Sequence, residues 1–116
     1  MFPTLFLLLS LATAAIGTPL RPGFYSETCP EAEFIVRDVI KKAMARETRS
    51  AASVMRLQFH DCLVNGCDGS VLLDDTPNML GEKLALSNID SLRSFEVIDE
   101  VKEALENTCP GVSLLC

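Results

Sequence analysis

An all-α domain with long loops is the fold class this sequence predicts, and three observations predict it. Residues 31–47, 50–62 and 94–107 each repeat apolar side chains at helical spacing. Residues suited to helix ends flank these segments: Pro30 and Ser50 at two starts, Pro110 and Gly111 after the last. The chain between the second and third segments holds the turn pairs Asn65-Gly66 and Asp68-Gly69, with no helical period.

The first 17 residues stand apart. Phe2 to Ala15 is apolar, and the small residues Ala12, Ala14, Ala15 and Gly17 close the run. It is short for a membrane span and reads as a secretory signal peptide over residues 1–17. No Lys or Arg precedes it, and an uncleaved anchor is the other reading. Residues 18–116 then hold one domain of roughly 100 residues, enough for a modest core.

Thr18 to Thr28 is a looped lead-in marked by Pro19, Pro22 and Gly23, and Pro30 suits a first helical position. From Glu31 to Glu47, Ala32, Ile35, Val36, Val39, Ile40, Ala43 and Met44 form one apolar face, with Arg37, Lys41 and Arg46 on the others. Ser50 is a candidate cap for a second helix that runs to about Cys62. That helix is apolar around most of its circumference, which predicts burial, with Arg56 and His60 as exceptions. Val71-Leu72-Leu73 is a short apolar anchor, and residues 81–91 read as loop with short helical turns. Ser94 is a candidate cap for a third helix, whose first turns carry Glu96, Asp99 and Glu100 in accord with the helix dipole.

Sixteen acidic residues against ten basic ones give a net charge of −6, and no basic run is present, which argues against a nucleic-acid partner. All five cysteines follow the leader, so secretion makes disulfides the expected state, and the odd number leaves at least one thiol without an internal partner.

Arg56 and His60, the only histidine, are four residues apart, so a helix brings both to one face with Phe59 beside them. An imidazole can take a proton from one peroxide oxygen and return it to the other, while a guanidinium stabilises charge on the departing oxygen. A helix-end histidine and a solvated arginine are the plain alternative. Just downstream, Asp61, Asp68 and Ser70 offer hard oxygen donors around a tight loop through Gly66, a composition suited to calcium, though the spacing is not that of an EF-hand. A polar surface loop is the alternative there. A bridge between Cys62 and Cys67 would pinch this loop and stabilise by about 2 kcal/mol. One between Cys29 and Cys109 would close a loop of roughly 80 residues and contribute about 4–5 kcal/mol on the same grounds. A rival reading joins His60, Cys62 and Cys67 in a zinc site without a clear fourth ligand.

The run Arg56-Leu57-Gln58-Phe59-His60-Asp61-Cys62-Leu63-Val64-Asn65-Gly66-Cys67-Asp68-Gly69-Ser70 resembles the distal motif of the class III, secretory plant haem peroxidases. The likeness extends to Gly23-Phe24-Tyr25, Cys29-Pro30, Gly81-Glu82-Lys83, Asn88, Phe95-Glu96-Val97-Ile98-Asp99 and Cys109-Pro110-Gly111-Val112, and so covers nearly all of the chain after the leader. It implies the all-α haem-peroxidase fold, restricted to its distal helices and calcium loop. His60 would be the distal acid–base residue and Arg56 the stabiliser of the breaking peroxide bond. Phe59 would pack on the haem face, Asn88 would accept a hydrogen bond from the His60 ring, and Glu82 would support Asn88 and reach the calcium site through water. Asp61, Val64, Gly66, Asp68 and Ser70 would hold calcium, with Cys29–Cys109 and Cys62–Cys67 as bridges. The implied cofactors are haem b and calcium, and the implied substrates are hydrogen peroxide and small phenolic donors. Roles in peroxide catabolism and the oxidative-stress response would follow. The full-length protein would be a monomer, secreted to the extracellular space, the cell wall or the vacuole, with no membrane attachment once its signal is cleaved.

The resemblance also sets an expectation about what lies elsewhere. The family's proximal histidine, the haem-iron ligand, would lie beyond Cys116, and the family's usual continuation after Val112 differs from Ser113-Leu114-Leu115-Cys116. Residues 18–116 are therefore expected to be a truncated distal portion. The alternative function is a non-catalytic secreted remnant that binds at most calcium.

Overall fold

The computed structural model describes residues 21–63 and 66–112; the leader, Val64 and Asn65, and residues 113–116 lie outside the described residues. The described residues form three α-helices and one 3-10 turn: α1 (Ala32–Arg46), α2 (Ser50–Cys62), the turn Ser70–Leu72, and α3 (Phe95–Thr108). Among the described residues the sole extended pairing is an isolated bridge between Thr76 and Met79, so the architecture is all-α. No described helix is long and apolar enough to cross a membrane.

Of the apolar face read from residues 31–47, Ala32 and Ala43 are buried, Ile35, Val36, Val39 and Ile40 are half-buried, and Met44 is exposed. The N-terminal end of α1 meets the C-terminal end of α3 in a cluster of Cys29, Ala32 and Leu105, with Tyr25, Ile35, Val36, Val101 and Val112 packed around it. The Cys29–Cys109 disulfide lies inside this cluster and ties the two helix ends at a Cα separation of 5.8 Å. At the opposite end of the pair, both Arg46 Nη2 contacts go to the Glu100 carboxylate, at 2.7 and 2.8 Å. That exposed ion pair contributes at most about 1 kcal/mol; the apolar cluster and the bridge hold α1 antiparallel to α3.

Helix α2 lies across this pair, and its ends differ from the sequence reading. Ser50 is not the cap: it is the first helical residue, preceded by Arg49, and its hydroxyl turns back to donate to the Ala43 carbonyl at 3.4 Å. Glu47 serves the turn instead, accepting from the Arg49 amide at 3.2 Å. The predicted burial is also one-sided. Leu57 and Asp61 are buried, whereas Met55 and Phe59 are exposed. A cleft of about 610 Å³, lined by Val36, Val54, Leu57, Val71, Val101 and Leu105 among others, runs between the helices.

The 73–93 segment is closed by polar contacts, because it has too few buried apolar groups to pack itself. Asp75 accepts from the Gly81 amide, and Lys83 reaches Asp74 at 2.6 Å while lying 4.5 Å over the Phe95 ring. Lys83 thereby pins the loop to the first residue of α3. Ser94, at the α3 N-cap, makes no side-chain cap bond and holds a left-handed backbone at φ 68°. A non-glycine residue there costs about 1–2 kcal/mol.

Two outcomes follow. Ser94→Gly is expected to raise stability by about 1 kcal/mol in a denaturant titration, since glycine adopts that conformation freely; an unchanged or lowered midpoint would contradict the strain. Glu106 is held below its ordinary value of 4.5 by the Lys102 ammonium and then by the Gly111 amide. A depressed carboxyl contributes stability that is present above its unfolded value and lost as pH falls through the folded one. Glu106→Gln should therefore lower the melting temperature slightly near neutrality and leave a shallower decline than the parent chain shows as pH falls below the ordinary carboxylate value.

Candidate active site

Helix α2 sorts its side chains by angle. Leu57 and Asp61 face the core. Met55, Phe59 and Leu63, spaced four residues apart, form a stripe that is 74%, 59% and 51% exposed, an apolar surface without protein cover. Arg56 and His60 run alongside it, and the Phe59 and His60 rings meet edge to face at 5.9 Å.

Arg56 is fixed by its whole fork. Its Nη1 donates to the Ser91 carbonyl at 3.0 Å, its Nη2 to Ser91 Oγ at 2.6 Å, and its Nε to His60 Nε2 at 3.4 Å. Ser91 Oγ in turn donates to the Ser87 carbonyl at 3.1 Å. The Arg56 contact thus falls on His60 Nε2 and sets a permanent cation beside the imidazole.

Asn88 is buried on the loop that carries Ser91. Its Nδ2 donates to the Glu82 carbonyl at 2.9 Å, and its Oδ1 accepts from Ser87 Oγ at 3.2 Å. Ser87 thus donates to Asn88 Oδ1. Glu82 reaches the calcium-candidate loop directly, its Oε1 accepting from Ser70 Oγ at 2.9 Å. A chain of contacts from Ser70 through Glu82 to Asn88 therefore joins that loop to the segment holding Arg56.

Sequence reasoning missed a second feature. Arg49 at the N-cap of α2 and Ser53 and Arg56 within it, with Ser91 and Arg93 from the loop, surround a pocket of about 190 Å³. Three arginines and two serines among its lining residues give it a composition suited to an anion. The spacing of Arg49, Ser53 and Arg56 on one helix face was legible in principle; nothing periodic marks Ser91 and Arg93.

In the loop after α2, the Asp61 carbonyl accepts from the Cys67 amide at 2.6 Å, and Asp61 Oδ2 accepts from the Gly69 amide at 3.2 Å. Asp68 Oδ1 accepts from the Ser70 amide at 3.0 Å. The Ser70 hydroxyl, then this amide, holds the Asp68 carboxyl below its ordinary value of 3.8. Asp61, Asp68 and Ser70 are oxygen donors, the chemistry calcium requires; Val64 lies outside the described residues. The Cys62–Cys67 disulfide closes this loop at a Cα separation of 4.0 Å. That overturns the zinc reading for the oxidised chain, because bridged sulfurs are not thiolate ligands.

The model of the family described as Peroxidase matches residues 36–115. The chain belongs to the peroxidase family. It is 71% identical over 112 residues to Peroxidase 17 of Arabidopsis thaliana, covering 96% of this chain and 34% of that protein. It is 50% identical over 113 residues to Peroxidase RIP1 of Medicago truncatula, covering 96% and 35%. It is 53% identical over 104 residues to Peroxidase N of Armoracia rusticana, covering 90% and 31%. This plant-type peroxidase chain thus spans about a third of the length of the curated relatives it matches.

Gly66 has no room for a side chain in this loop. A Cβ there would overlap the Asp61 carbonyl oxygen. Gly66→Ala is expected to displace Asp61 and cost about 1–3 kcal/mol, the range for forced overpacking, read as a lower denaturation midpoint; an unaltered midpoint would mean the loop passes Asp61 freely.

Proposed function

We propose that these residues form the distal, peroxide-cleaving side of a secreted haem peroxidase that reduces hydrogen peroxide and oxidises small phenolic donors. One observation carries the reading: the Arg56–His60 pair stands between an uncovered apolar stripe and an arginine-lined pocket. Haem b is a flat apolar macrocycle with carboxylates on one edge, and those two surfaces suit its two characters. Phe59 with Met55 would take the ring face, and Arg49, Arg93, Ser53 and Ser91 would take the carboxylates. Bound haem supplies the iron centre that accepts the oxidising power of the peroxide. The name peroxidase on each relative supports the same reading.

The chain's own residues have defined tasks in this scheme. His60 Nε2 takes a proton from the peroxide oxygen that stays and returns it to the oxygen that leaves as water. Arg56, locked to Ser91 through Nη1 and Nη2, offers positive charge to the departing oxygen once its Nε yields His60 Nε2 to the peroxide. Asn88 and Glu82 position this machinery, and Asp61, Asp68 and Ser70, with the carbonyls of Val64 and Gly66, hold calcium. Because Asp61 follows His60 directly, an ion on Asp61 would stiffen the helix end that presents the imidazole. Secretion is supported by the apolar leader and by two bridges among the described cysteines.

The non-catalytic reading has one observation in its favour. His60 is the only histidine in these 116 residues, so an imidazole ligand for the iron must come from outside them. Haem titration of the oxidised, calcium-loaded chain, with and without added imidazole, separates the two. A one-to-one complex weakened by Arg49→Ala and Arg93→Ala is expected. Its turnover of peroxide should depend on added imidazole and fall about 100-fold or more in His60→Ala. Haem binding indifferent to both arginines, or turnover unchanged without His60, would sink the proposal.

A further inference from the structure

The Cys62–Cys67 bridge sits against a third potential ligand. The two sulfurs and an Asp61 carboxylate oxygen lie within 4.8 Å of one another. Asp61 Oδ2 is 3.9 Å from Cys62 Sγ, close to the roughly 3.5 Å spanned by sulfur and oxygen on a tetrahedral zinc ion at ~2.3 and ~2.0 Å. The surroundings suit anionic sulfur. Gln58 Nε2 stands 2.8 Å from Cys62 Sγ and 4.0 Å from Cys67 Sγ; an amide donor matches a disulfide sulfur poorly and a thiolate well. The Cys67 and Gly69 amides donate to Asp61, so the loop stays beside the carboxylate once the sulfur–sulfur bond opens.

Access separates the two bridges. Cys67 is exposed and Cys62 half-buried, whereas Cys29 is 1% exposed and lies in the core cluster. A reductant meets the loop bridge first.

We propose that reducing Cys62–Cys67 creates a site for a thiophilic divalent cation of the zinc and cadmium class, held by Asp61, Cys62 and Cys67, with Gln58 donating to the sulfurs. A dithiol reductant delivers two electrons and two protons to the bridge and leaves as its own disulfide. The ion then replaces the two thiol protons, which pass to water, and a water molecule fills the fourth position, as in three-ligand zinc sites. Thiolates select soft ions, and the oxidised loop offers only hard oxygen. The loop is therefore a redox-gated metal site, independent of whether the chain takes part in peroxide chemistry.

The test uses the whole chain in a Cys116→Ser background, so that every thiol comes from one of the two bridges. A limited dose of phosphine opens the accessible bridge, the phosphorus becoming its oxide with oxygen from water as the sulfurs become thiols. Alkylation and peptide mass mapping of one portion identify the freed cysteines. Cadmium is titrated into a second, unalkylated portion while the thiolate-to-cadmium absorption and the helical circular dichroism are followed. One thiolate-bound cadmium per reduced chain and no thiolate-to-cadmium band from the oxidised chain are expected, with affinity about tenfold or more weaker in Cys62→Ser and in Gln58→Ala. Four results overturn the proposal: Cys29 and Cys109 freed first, loss of the helices when the loop bridge alone opens, no cadmium bound by a reduced chain with its helices intact, or undiminished binding by Cys62→Ser/Cys67→Ser after full reduction.

Discussion

The antiparallel pairing of α1 with α3, sealed by the Cys29–Cys109 bridge inside its apolar cluster, positions everything else in the fold. With about 90 described residues sharing few fully buried side chains, the apolar core alone is thin for a domain of this size. A covalent link that closes most of the chain removes much of the unfolded state's freedom. With those ends joined and Arg46 reaching Glu100 at the other end, α2 has a defined surface to lie across. Leu57 and Asp61 then turn inward, and Arg56 and His60 must face aside.

That division of α2 has a chemical consequence. Neighbouring residues on a helix point about 100° apart, so His60 and Asp61 serve different regions although they are adjacent. Asp61 anchors the loop through the Cys67 and Gly69 amides, while His60 meets Arg56 on the open side. Mechanical coupling between loop and imidazole thus runs through one backbone unit. A second connection, Ser70 to Glu82 to Asn88, returns from the same loop to the segment that holds Arg56 through Ser91. Two routes from one loop constrain both members of the pair.

The open surfaces are as informative as the closed ones. A stripe of Met55, Phe59 and Leu63 beside three arginines is an unusual surface for a chain with a net charge of −6. Apolar area next to concentrated positive charge suits a ligand with a flat apolar body and an anionic edge. The same arrangement would serve poorly as bare protein surface, where exposed aromatic and sulfur side chains promote association.

Much of the fold was already written in the sequence. Apolar spacing set the three helices to within a residue or two, because burial of a 3.6-residue stripe leaves a periodic trace. The spacing of Arg56 and His60 likewise put both on one face, since i and i+4 positions on a helix are neighbours whatever the surroundings. Only the tertiary structure decided the rest. It placed Ser94 in a left-handed conformation without a capping bond and turned Ser50 back onto Ala43, because the directions of the connecting loops, not local preference, determine those dihedrals. It gave Asn88 to Ser87 and Glu82, and it brought Ser91 and Arg93 to Arg49 and Ser53. The Asn88 contacts are local to its own loop but leave no periodic trace, whereas Ser91 meets Arg56 35 positions away, a contact that exists only once that loop has docked on α2.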